Sequence, residues 1–347
     1  MRVLIRKLAV ISSAMFLLVT LLPVNTFASE QDSVGFTVES VKPNTQVDKS
    51  MTLYYFAVEP NKAQTLQLKI ISQQKEKKSV KITVTDAVTN KNGNIDYGQE
   101  TPTLDESLKN PVSSIVKVKD GMETVNVENF EEKIVELEVM PSSEVFEGVK
   151  LGAVRILAES DEKDKGTITN KYGYTIAMML TEDRDDYKSG GDLRLKKIST
   201  GIEDGKKVVK VPLQNYKPKV MKDVDVSGYV TKKGDSKKIT SKKIENVEFA
   251  PNSWLPFNVS LGLEALTPGT YTIHVKATKD EKDWSWEEDF EISESKANAL
   301  NRQATFKLVL LPTIKILAYF LIVAVVVITI LLAVRHNKWK RELGEGE

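Results

Sequence analysis

Two long apolar segments near the ends of the chain constrain its fold more than any other feature. Residues 1–28 have a basic start, an apolar run from Leu8 to Leu22 and small residues around Ala28 and Ser29. This order is typical of a cleaved export signal. We therefore predict a signal peptide over residues 1–28, cleaved between Ala28 and Ser29, with an uncleaved N-terminal anchor as the alternative.

The second apolar segment lies near the C-terminus. Ile316 to Val334 contains no charged residue, and at about 1.5 Å per residue it forms a helix roughly 28 Å long, close to the thickness of a bilayer's hydrocarbon core. We predict a transmembrane helix over residues 312–334. The alternative, a buried core helix, is disfavoured because the segment has no polar face to turn towards water.

Basic residues follow this segment directly, namely Arg335, Lys338, Lys340 and Arg341. An excess of Lys and Arg in a short flank marks the cytoplasmic side of a membrane. We therefore predict a single-pass protein of the cell membrane, with its N-terminus outside and residues 335–347 as a cytoplasmic tail.

Composition limits the function classes of the outward-facing part. The chain has 49 basic and 48 acidic residues, and this balance argues against a nucleic-acid binder. It has no cysteine, although exported domains often carry disulfides. Stability must therefore come from packing, for which a segment of this length suffices.

Between the apolar ends, apolar and polar residues alternate with a period of two, which indicates half-buried β-strands. Leu66, Leu68 and Ile70 begin this pattern. The same alternation predicts buried positions at Val80, Ile82, Val84, Val135, Leu137, Val139, Val224, Val226, Val230, Ile273, Val275 and Ala277. Turn signals such as Asn92-Gly93 separate the strands.

This pattern predicts an all-β ectodomain of two tandem immunoglobulin-like β-sandwich domains, followed by the C-terminal transmembrane helix. The polar stretch from Glu159 to Lys171 favours a boundary that gives domains of residues 30–160 and 161–300. The charged stretch from Glu182 to Gly191 is the alternative boundary. Ser293 to Phe306 is predicted to form a short helical stalk.

The sequence offers few catalytic candidates outside the membrane. His274 is the one histidine before the apolar helix, and the alternation places it on the wet face opposite Ile273 and Val275. A Ser–His–Asp site would therefore have to be built around that single histidine. Since cysteine is absent too, a Cys nucleophile is impossible, and zinc sites built on several His or Cys ligands are excluded.

A calcium loop is disfavoured as well. Asn92, Asn94 and Asp96 resemble the start of such a loop, but Thr103 stands where the loop needs a bidentate glutamate. A hairpin turn at Asn92-Gly93 is favoured instead. We predict no enzymatic activity, no cofactor and no metal.

Several residue strings occur in a fixed order along the chain. In the first half they are Phe36-Thr37-Val38, Gln46-Val47-Asp48, Tyr54-Tyr55-Phe56, Pro60-Asn61, Thr85-Asp86-Ala87-Val88-Thr89-Asn90, Ile95-Asp96-Tyr97, Met140-Pro141, Phe146-Glu147-Gly148 and Leu151-Gly152-Ala153. In the second half they are Tyr174-Thr175-Ile176-Ala177, Leu213-Gln214-Asn215, Asn246-Val247-Glu248-Phe249-Ala250-Pro251-Asn252-Ser253 and Pro268-Gly269-Thr270-Tyr271. With the terminal helix, this series resembles the WxL-interacting proteins of Gram-positive bacteria over nearly the whole chain.

The resemblance implies a first domain that binds peptidoglycan and a second domain that binds host ligands. It also implies partners that carry a WxL domain and attach non-covalently to the wall. The chain is not itself such a partner, because none of its tryptophans forms a Trp-x-Leu motif and Trp254 is followed directly by Leu255.

Exposed aromatic rings are the first group of candidate ligand contacts, since such rings stack on sugars and dominate protein interfaces. Tyr54 and Tyr55 lie on opposite faces of one strand, so one ring is exposed unless both faces are covered. Tyr97 follows the Asn-Gly turn and is expected in a loop. Trp284 and Trp286 share one strand face, for which core or interdomain packing is favoured over a binding platform.

Lysines form the second group. Lys232, Lys233, Lys237 and Lys238 precede Lys242 and Lys243, with Asp235 as the one acid among them. Such a cluster predicts contact with anionic wall polymers or an acidic partner. A solvated hairpin is the favoured alternative.

We therefore predict a membrane-anchored cell-surface scaffold, exposed at the cell wall, that binds peptidoglycan and WxL-domain surface proteins. A host extracellular-matrix protein is a further candidate partner. One alternative is a cell-wall glycan hydrolase that uses paired carboxylates. The other is a host-matrix adhesin without wall affinity.

Overall fold

The computed structural model describes residues 35–75, 77–159, 172–308 and 312–344 of the 347-residue chain. The predicted signal peptide and its cleavage position at Ala28 and Ser29 lie outside the described residues. So do residues 160–171 of the predicted linker and residues 345–347 of the predicted tail.

Strands make up most of the described chain. The first eleven are β1 Phe36–Val41, β2 Tyr54–Ala57, β3 Gln64–Ser72, β4 Lys78–Asp86, β5 Val88–Thr89, β6 Ile95–Asp96, β7 Val116–Val118, β8 Thr124–Val127, β9 Glu132–Val139, β10 Lys150–Ala158 and β11 Gly173–Thr181. The other ten are β12 Leu193–Leu195, β13 Ser199–Glu203, β14 Lys206–Lys210, β15 Pro212–Asn215, β16 Met221–Lys232, β17 Lys238–Phe249, β18 Ser253–Pro256, β19 Val259–Ser260, β20 Gly269–Lys279 and β21 Lys282–Ile292. The helices are α1 Val112–Ile115, α2 Glu294–Gln303 and α3 Pro312–Gly344.

The first sandwich consists of a four-stranded sheet, β1-β3-β9-β7, and a five-stranded sheet, β2-β11-β10-β4-β8. Its core contains the side chains that the alternation predicted, with Leu66, Leu68 and Ile70 at most 1% exposed. Val84 is only partly buried but packs against the same core. The period-two prediction is thus confirmed for this domain.

The boundary between the sandwiches differs from the one predicted at 160/161. β11 pairs antiparallel with β10 and parallel with β2, so Gly173–Thr181 is an inner strand of the first sandwich. The polar stretch after Glu159 therefore connects two strands of one sheet. The seam falls instead in the alternative stretch from Glu182 to Gly191, after which β12 joins the second sandwich.

The second sandwich packs a four-stranded sheet, β17-β16-β20-β21, against two three-stranded sheets, β12-β15-β18 and β13-β14-β19. The segments 193–203, 206–215 and 253–260 supply the strands of both smaller sheets. One core cluster includes the predicted Val224, Val226, Val230, Ile273, Val275 and Ala277. The expectation of two β-sandwiches is confirmed.

The hairpin β5–β6 fastens the first sandwich to the second. Its turn contains Gly93 at φ 83°, which confirms the hairpin that Asn92-Gly93 predicted. The Thr89 backbone N–H donates to Ser253 Oγ at 2.9 Å, and Thr89 Oγ1 accepts from the Ala250 N–H at 2.9 Å. The Glu248 N–H donates to the Gly93 carbonyl at 2.7 Å.

The predicted helical stalk forms but does not stand free. Ser293 caps α2 by accepting a hydrogen bond from the Lys296 N–H, as serine commonly does at this position. Ala297 and Leu300 are buried in the core of the second sandwich. The helix is therefore part of that domain, and the chain leaves it after α2.

α3 begins at Pro312, where the transmembrane helix was predicted, and continues through Val334 to Gly344. Its segment Ile316–Trp339 is long and apolar enough to cross a membrane, with a mean hydropathy of 3.1 in its most apolar window and no burial there against the rest of the protein.

Candidate binding surfaces

The outer face of the sheet β17-β16-β20-β21 holds a groove of about 670 Å³. Four residues from the four strands align across it, since Ser241 is opposite Tyr229, Tyr229 opposite His274 and His274 opposite Glu287. In an antiparallel sheet such opposed side chains share a face. We call this the Tyr229 groove.

Two aromatic rings stack in the centre of the Tyr229 groove. The rings of Tyr229 and His274 lie 4.4 Å apart at 14°, and Lys238 Nζ sits 4.2 Å from the Tyr229 ring centroid. A cation placed above the face of an aromatic ring is attracted to it electrostatically. His274 Nδ1 lies 3.4 Å from a Glu287 carboxylate oxygen. The groove thus offers a ring surface between a cation and an acid.

Other charges at the groove are largely paired. Lys243 contacts Glu245 at 2.5 Å, and Lys276 contacts Asp283 at 2.9 Å. Lys242 packs its Nζ 5.0 Å from the Phe257 ring, and burial lowers the pKa of this amine. The groove therefore carries mixed charge rather than a strong positive field.

Sequence reasoning placed His274 correctly on the wet face but missed Tyr229. A signal was available, because Val226 and Val230 mark the buried positions of β16. Tyr229 therefore falls on the wet face, where a large aromatic ring is a candidate contact.

The predicted lysines divide between the groove and a turn. Lys238 lines the groove, whereas Lys232, Lys233 and Lys237 lie in or next to the exposed turn between β16 and β17. Lys233 Nζ contacts Asp289 at 2.6 Å. The cluster is therefore not one continuous surface.

The two candidate tryptophans pack against the core, the interpretation favoured above over a binding platform. Trp284 and Trp286 are opposite Ala277 and Val275, both buried, so all four side chains lie on the inner face. Both rings are partly buried against the core cluster. Trp284 Nε1 also donates to Asp192 Oδ1 at 2.8 Å.

Tyr54 and Tyr55 are not exposed contacts either. Tyr54 is fully buried, and its hydroxyl donates to the Gln67 carbonyl at 2.7 Å. Tyr55 points to the opposite face but is only 5% exposed, with its ring edge-on to Tyr187 at 5.6 Å. The seam between the sandwiches covers that face, so both rings are packing residues.

Tyr97 lies directly after β6, in the loop where it was expected. It is half-buried at the edge of the cluster that contains Tyr55, Leu151 and Val220, and burial raises its pKa to about 12. Most of its ring therefore stabilises the seam.

A second candidate surface lies in the first sandwich. It is a polar cavity of about 490 Å³ on the outer face of the five-stranded sheet. Its lining residues are Lys81, Thr83, Glu100, Arg155, Leu157, Ala158 and Glu159. Nε and Nη1 of Arg155 are buried and have no hydrogen-bond partner in the part of the chain that the structure describes. Buried donors normally have partners, so this arginine is a candidate for contact with a polar ligand. We call this the Arg155 cavity.

Neither surface has the donor set of a metal centre. Across residues 35–75, 77–159, 172–308 and 312–344, no three His, Cys, Asp or Glu side chains are grouped to hold an ion. Rings, amines and hydroxyls in open grooves are suited to recognising sugars or protein side chains.

Two family models match the chain in succession. The model described as "WxL Interacting Protein, peptidoglycan binding domain" matches residues 36–158, and the one described as "WxL Interacting Protein, host binding domain" matches residues 163–302. No curated protein matches the chain.

Several solved structures with similar arrangements are chaperones. The class 5 fimbriae chaperone CfaA is 11% identical and covers 73% of this chain and 98% of its own, with a TM-score of 0.29. The E. coli chaperone DraB is 13% identical and covers 74% and 98%, with a TM-score of 0.29. A Salmonella enterica structure of the SafA pilin with the SafB chaperone contains a chain that is 12% identical and covers 74% and 96%, again with a TM-score of 0.29.

Proposed function

The chain belongs to the family of WxL-interacting proteins, and from this premise we propose that it is a membrane-anchored scaffold that binds peptidoglycan and WxL-domain proteins at the Gram-positive cell surface. One observation carries the proposal. The two family models match in the order wall-binding then host-binding, and each falls mainly on one of two sandwiches with separate cores.

The Arg155 cavity is the proposed wall contact. Peptidoglycan carries carboxylates, hydroxyls and amides, and a guanidinium with unpaired donors is suited to a carboxylate. Lys81 adds a second cation and Thr83 a hydroxyl at the same cavity. The first domain thus offers polar groups for a glycan or peptide without requiring an exposed aromatic platform.

The Tyr229 groove is the proposed contact for a WxL-domain protein or a host matrix protein. A ring flanked by opposite charges resembles the aromatic centre and polar rim of protein interfaces. α3 would anchor the protein, with its N-terminus outside. Two modest affinities, for wall and for partner, would then act together because anchoring raises their effective concentration.

Co-sedimentation of the ectodomain, residues 30–308, with peptidoglycan sacculi stripped of protein and teichoic acid tests the wall contact. We expect the wild-type ectodomain to pellet, Arg155→Gln to remain in solution, and Tyr229→Ala to pellet normally. Circular dichroism of each variant checks folding. A wild-type ectodomain that stays in solution would favour an adhesin without wall affinity.

A wall hydrolase is the second candidate, because Glu100 and Glu159 line the same cavity and paired carboxylates are the groups that cleave glycosidic bonds. We expect incubation with labelled sacculi to release no soluble muropeptides. Release that Glu100→Gln or Glu159→Gln abolishes would establish the hydrolase instead.

A further inference from the structure

One end of the second sandwich collects several separate segments. Residues 304–308 leave α2 and dock there, with the Thr305 and Phe306 N–H groups donating to the Gly205 carbonyl at 3.0 and 3.1 Å. The Leu308 N–H donates to the Leu263 carbonyl at 2.9 Å. We call this end the C-terminal pole.

The lysine turn between β16 and β17 belongs to the same pole. The Lys233 N–H donates to the Thr270 carbonyl at 3.0 Å. One residue before Thr270, Gly269 pairs with Ile292, the last residue before the cap of α2. The lysines thus lie beside the strand ends from which the chain enters α2.

The C-terminal pole exposes large apolar side chains. Leu263, Phe306 and Leu308 are 54%, 53% and 59% exposed, and Ile239 beside the lysine turn is 37% exposed. Single exposed apolar residues are common on protein surfaces, but here they share one end of a domain. Such a group is typical of an interaction surface.

Basic residues belong to the same pole as these apolar side chains. Lys232, Lys233 and Lys237 stand in or next to the turn, with Asp235 as the one acid between them and Asp289 in contact with Lys233. Lys206 Nζ lies 5.8 Å from the Phe306 ring centroid. Glu264 beside Leu263 carries the opposite charge. The lysine turn therefore supplies most of the positive charge.

Covalent geometry keeps this pole near the apolar helix. Leu308 and Pro312 are four residues apart in sequence, a distance of at most about 14 Å. The helix then needs about 6 Å to reach Ile316, where the apolar span begins. The headgroup layer is itself several ångströms thick, so an anchored protein cannot hold the pole far from the lipid surface.

From these observations we infer that the C-terminal pole rests on the outer leaflet of the membrane: its apolar side chains enter the headgroup layer, and the lysine turn contacts the phosphates of anionic phospholipids. This inference rests on the membrane anchoring in the proposed function. It assigns Lys232, Lys233 and Lys237 to lipid rather than to wall polymers or a protein partner. Exposed aromatic and leucine side chains with nearby lysines are the composition that binds such interfaces.

The lack of native cysteine permits single-site labelling of the full chain. We would reconstitute Ser236→Cys, Gln73→Cys and Ala324→Cys, each carrying a bimane fluorophore, in vesicles of phosphatidylglycerol and phosphatidylcholine. Ser236 is in the lysine turn, Gln73 is exposed at the far end of the first sandwich, and Ala324 is in the middle of α3. Spin-labelled lipids then quench each fluorophore according to its depth.

A headgroup quencher is expected to reduce emission from the label at position 236 and to leave the label at position 73 unchanged. A deep acyl quencher reports on position 324. If position 324 is quenched but 236 behaves like 73, anchoring stands and the inference is overturned. If position 324 escapes the deep quencher, anchoring fails and the inference fails with it. A label at 236 that responds only to added sacculi would assign the lysines to wall polymer and also overturn it.

Charge variants test the lipid contact itself. In the Ser236→Cys background, replacing Lys232, Lys233 and Lys237 with Gln is expected to lose headgroup quenching in anionic vesicles, with little change in pure phosphatidylcholine. Lys75→Gln, Lys77→Gln and Lys78→Gln together remove the same charge from the far end and should have no effect. Equal loss from both triple variants would overturn the specific contact.

Discussion

Lys196 of the second sandwich contacts Asp105 of the first, with Lys196 Nζ 2.7 Å from Asp105 Oδ2. The Asp105 side chain is completely buried, and its other oxygen accepts from Gln214 Nε2 at 2.6 Å. Burial alone would raise the pKa of Asp105, but hydrogen bonds from Lys196 and Ser107 outweigh it and lower this pKa. A charged group from one domain thus depends on partners from the other.

We expect Asp105→Ala to lower the free energy of unfolding by about 3 kcal/mol, because removing one member of a buried ion pair leaves its partners unsatisfied. Urea denaturation followed by tryptophan fluorescence measures this. Glu59→Ala is a matched control, because Glu59 and Lys62 form an ion pair with both side chains 66% exposed. The control should cost less than about 1 kcal/mol, and equal losses would show that the Asp105 contact does not fasten the domains.

The lowered pKa of Asp192 predicts that the free energy of unfolding decreases in acid. Burial works to raise its pKa, but hydrogen bonds from Tyr216, Lys282 and Trp284 hold the pKa well below its usual value. A group with a lowered folded-state pKa stabilises the protein above its unfolded pKa, about 3.9 for aspartate, and this contribution disappears as the pH falls through the folded pKa.

The stability difference between wild type and Asp192→Asn should therefore be largest at neutral pH and decrease below about pH 4. Urea midpoints measured from pH 7 down to pH 3 give this difference. A difference that stays constant over the whole range would mean that the carboxylate charge is not what stabilises this part of the second sandwich.

Tyr229→Ala is predicted to weaken binding of a WxL-domain partner by about tenfold or more, since central aromatic residues dominate interface energies. The substitution removes the stack with His274 and the contact with Lys238. Isothermal titration calorimetry with the purified partner measures the loss. Lys222→Ala, which breaks an exposed pair with Glu248 outside the groove, should bind normally, and equal weakening in both variants would exclude the groove.

The alternation of residues was sufficient to predict strands, sandwiches and core. Leu66, Leu68, Val226 and Val230 are buried because a period of two places them on inner faces whichever strands are neighbours. Which strands pair is a different question. The charged stretch after Glu159 reads like a linker, yet it joins two neighbours in one sheet, and no local pattern distinguishes these cases.

Exposure of the candidate contacts could not be predicted for a related reason. One strand shows only that Tyr54 and Tyr55 point to opposite faces, whereas burial of both depends on the seam that forms above Tyr55. Trp284 and Trp286 were correctly placed on one shared face. That this face is the inner one follows from their register with Ala277 and Val275, which depends on distant pairing.

Gly148 gives a further test of the seam. Its backbone has φ +69°, and its N–H donates to Asp183 Oδ2 at 2.8 Å. A Cβ atom at this position would lie 2.2 Å from the Pro218 carbonyl oxygen of the other domain. Only glycine therefore permits both the left-handed conformation and the close approach of the two backbone segments.

Gly121 is the matched control, since it has a similar φ of +81° but no atom within 4 Å of the point that a Cβ would occupy. Gly121→Ala should cost about 1 kcal/mol, the penalty for a left-handed alanine. Gly148→Ala carries the same conformational cost and in addition must push Pro218 away, so we expect a loss of at least about 2 kcal/mol. Thermal and urea unfolding of both variants give the comparison. Equal losses would mean that the seam yields at Pro218 without cost, and that the two sandwiches are not held there by close backbone packing.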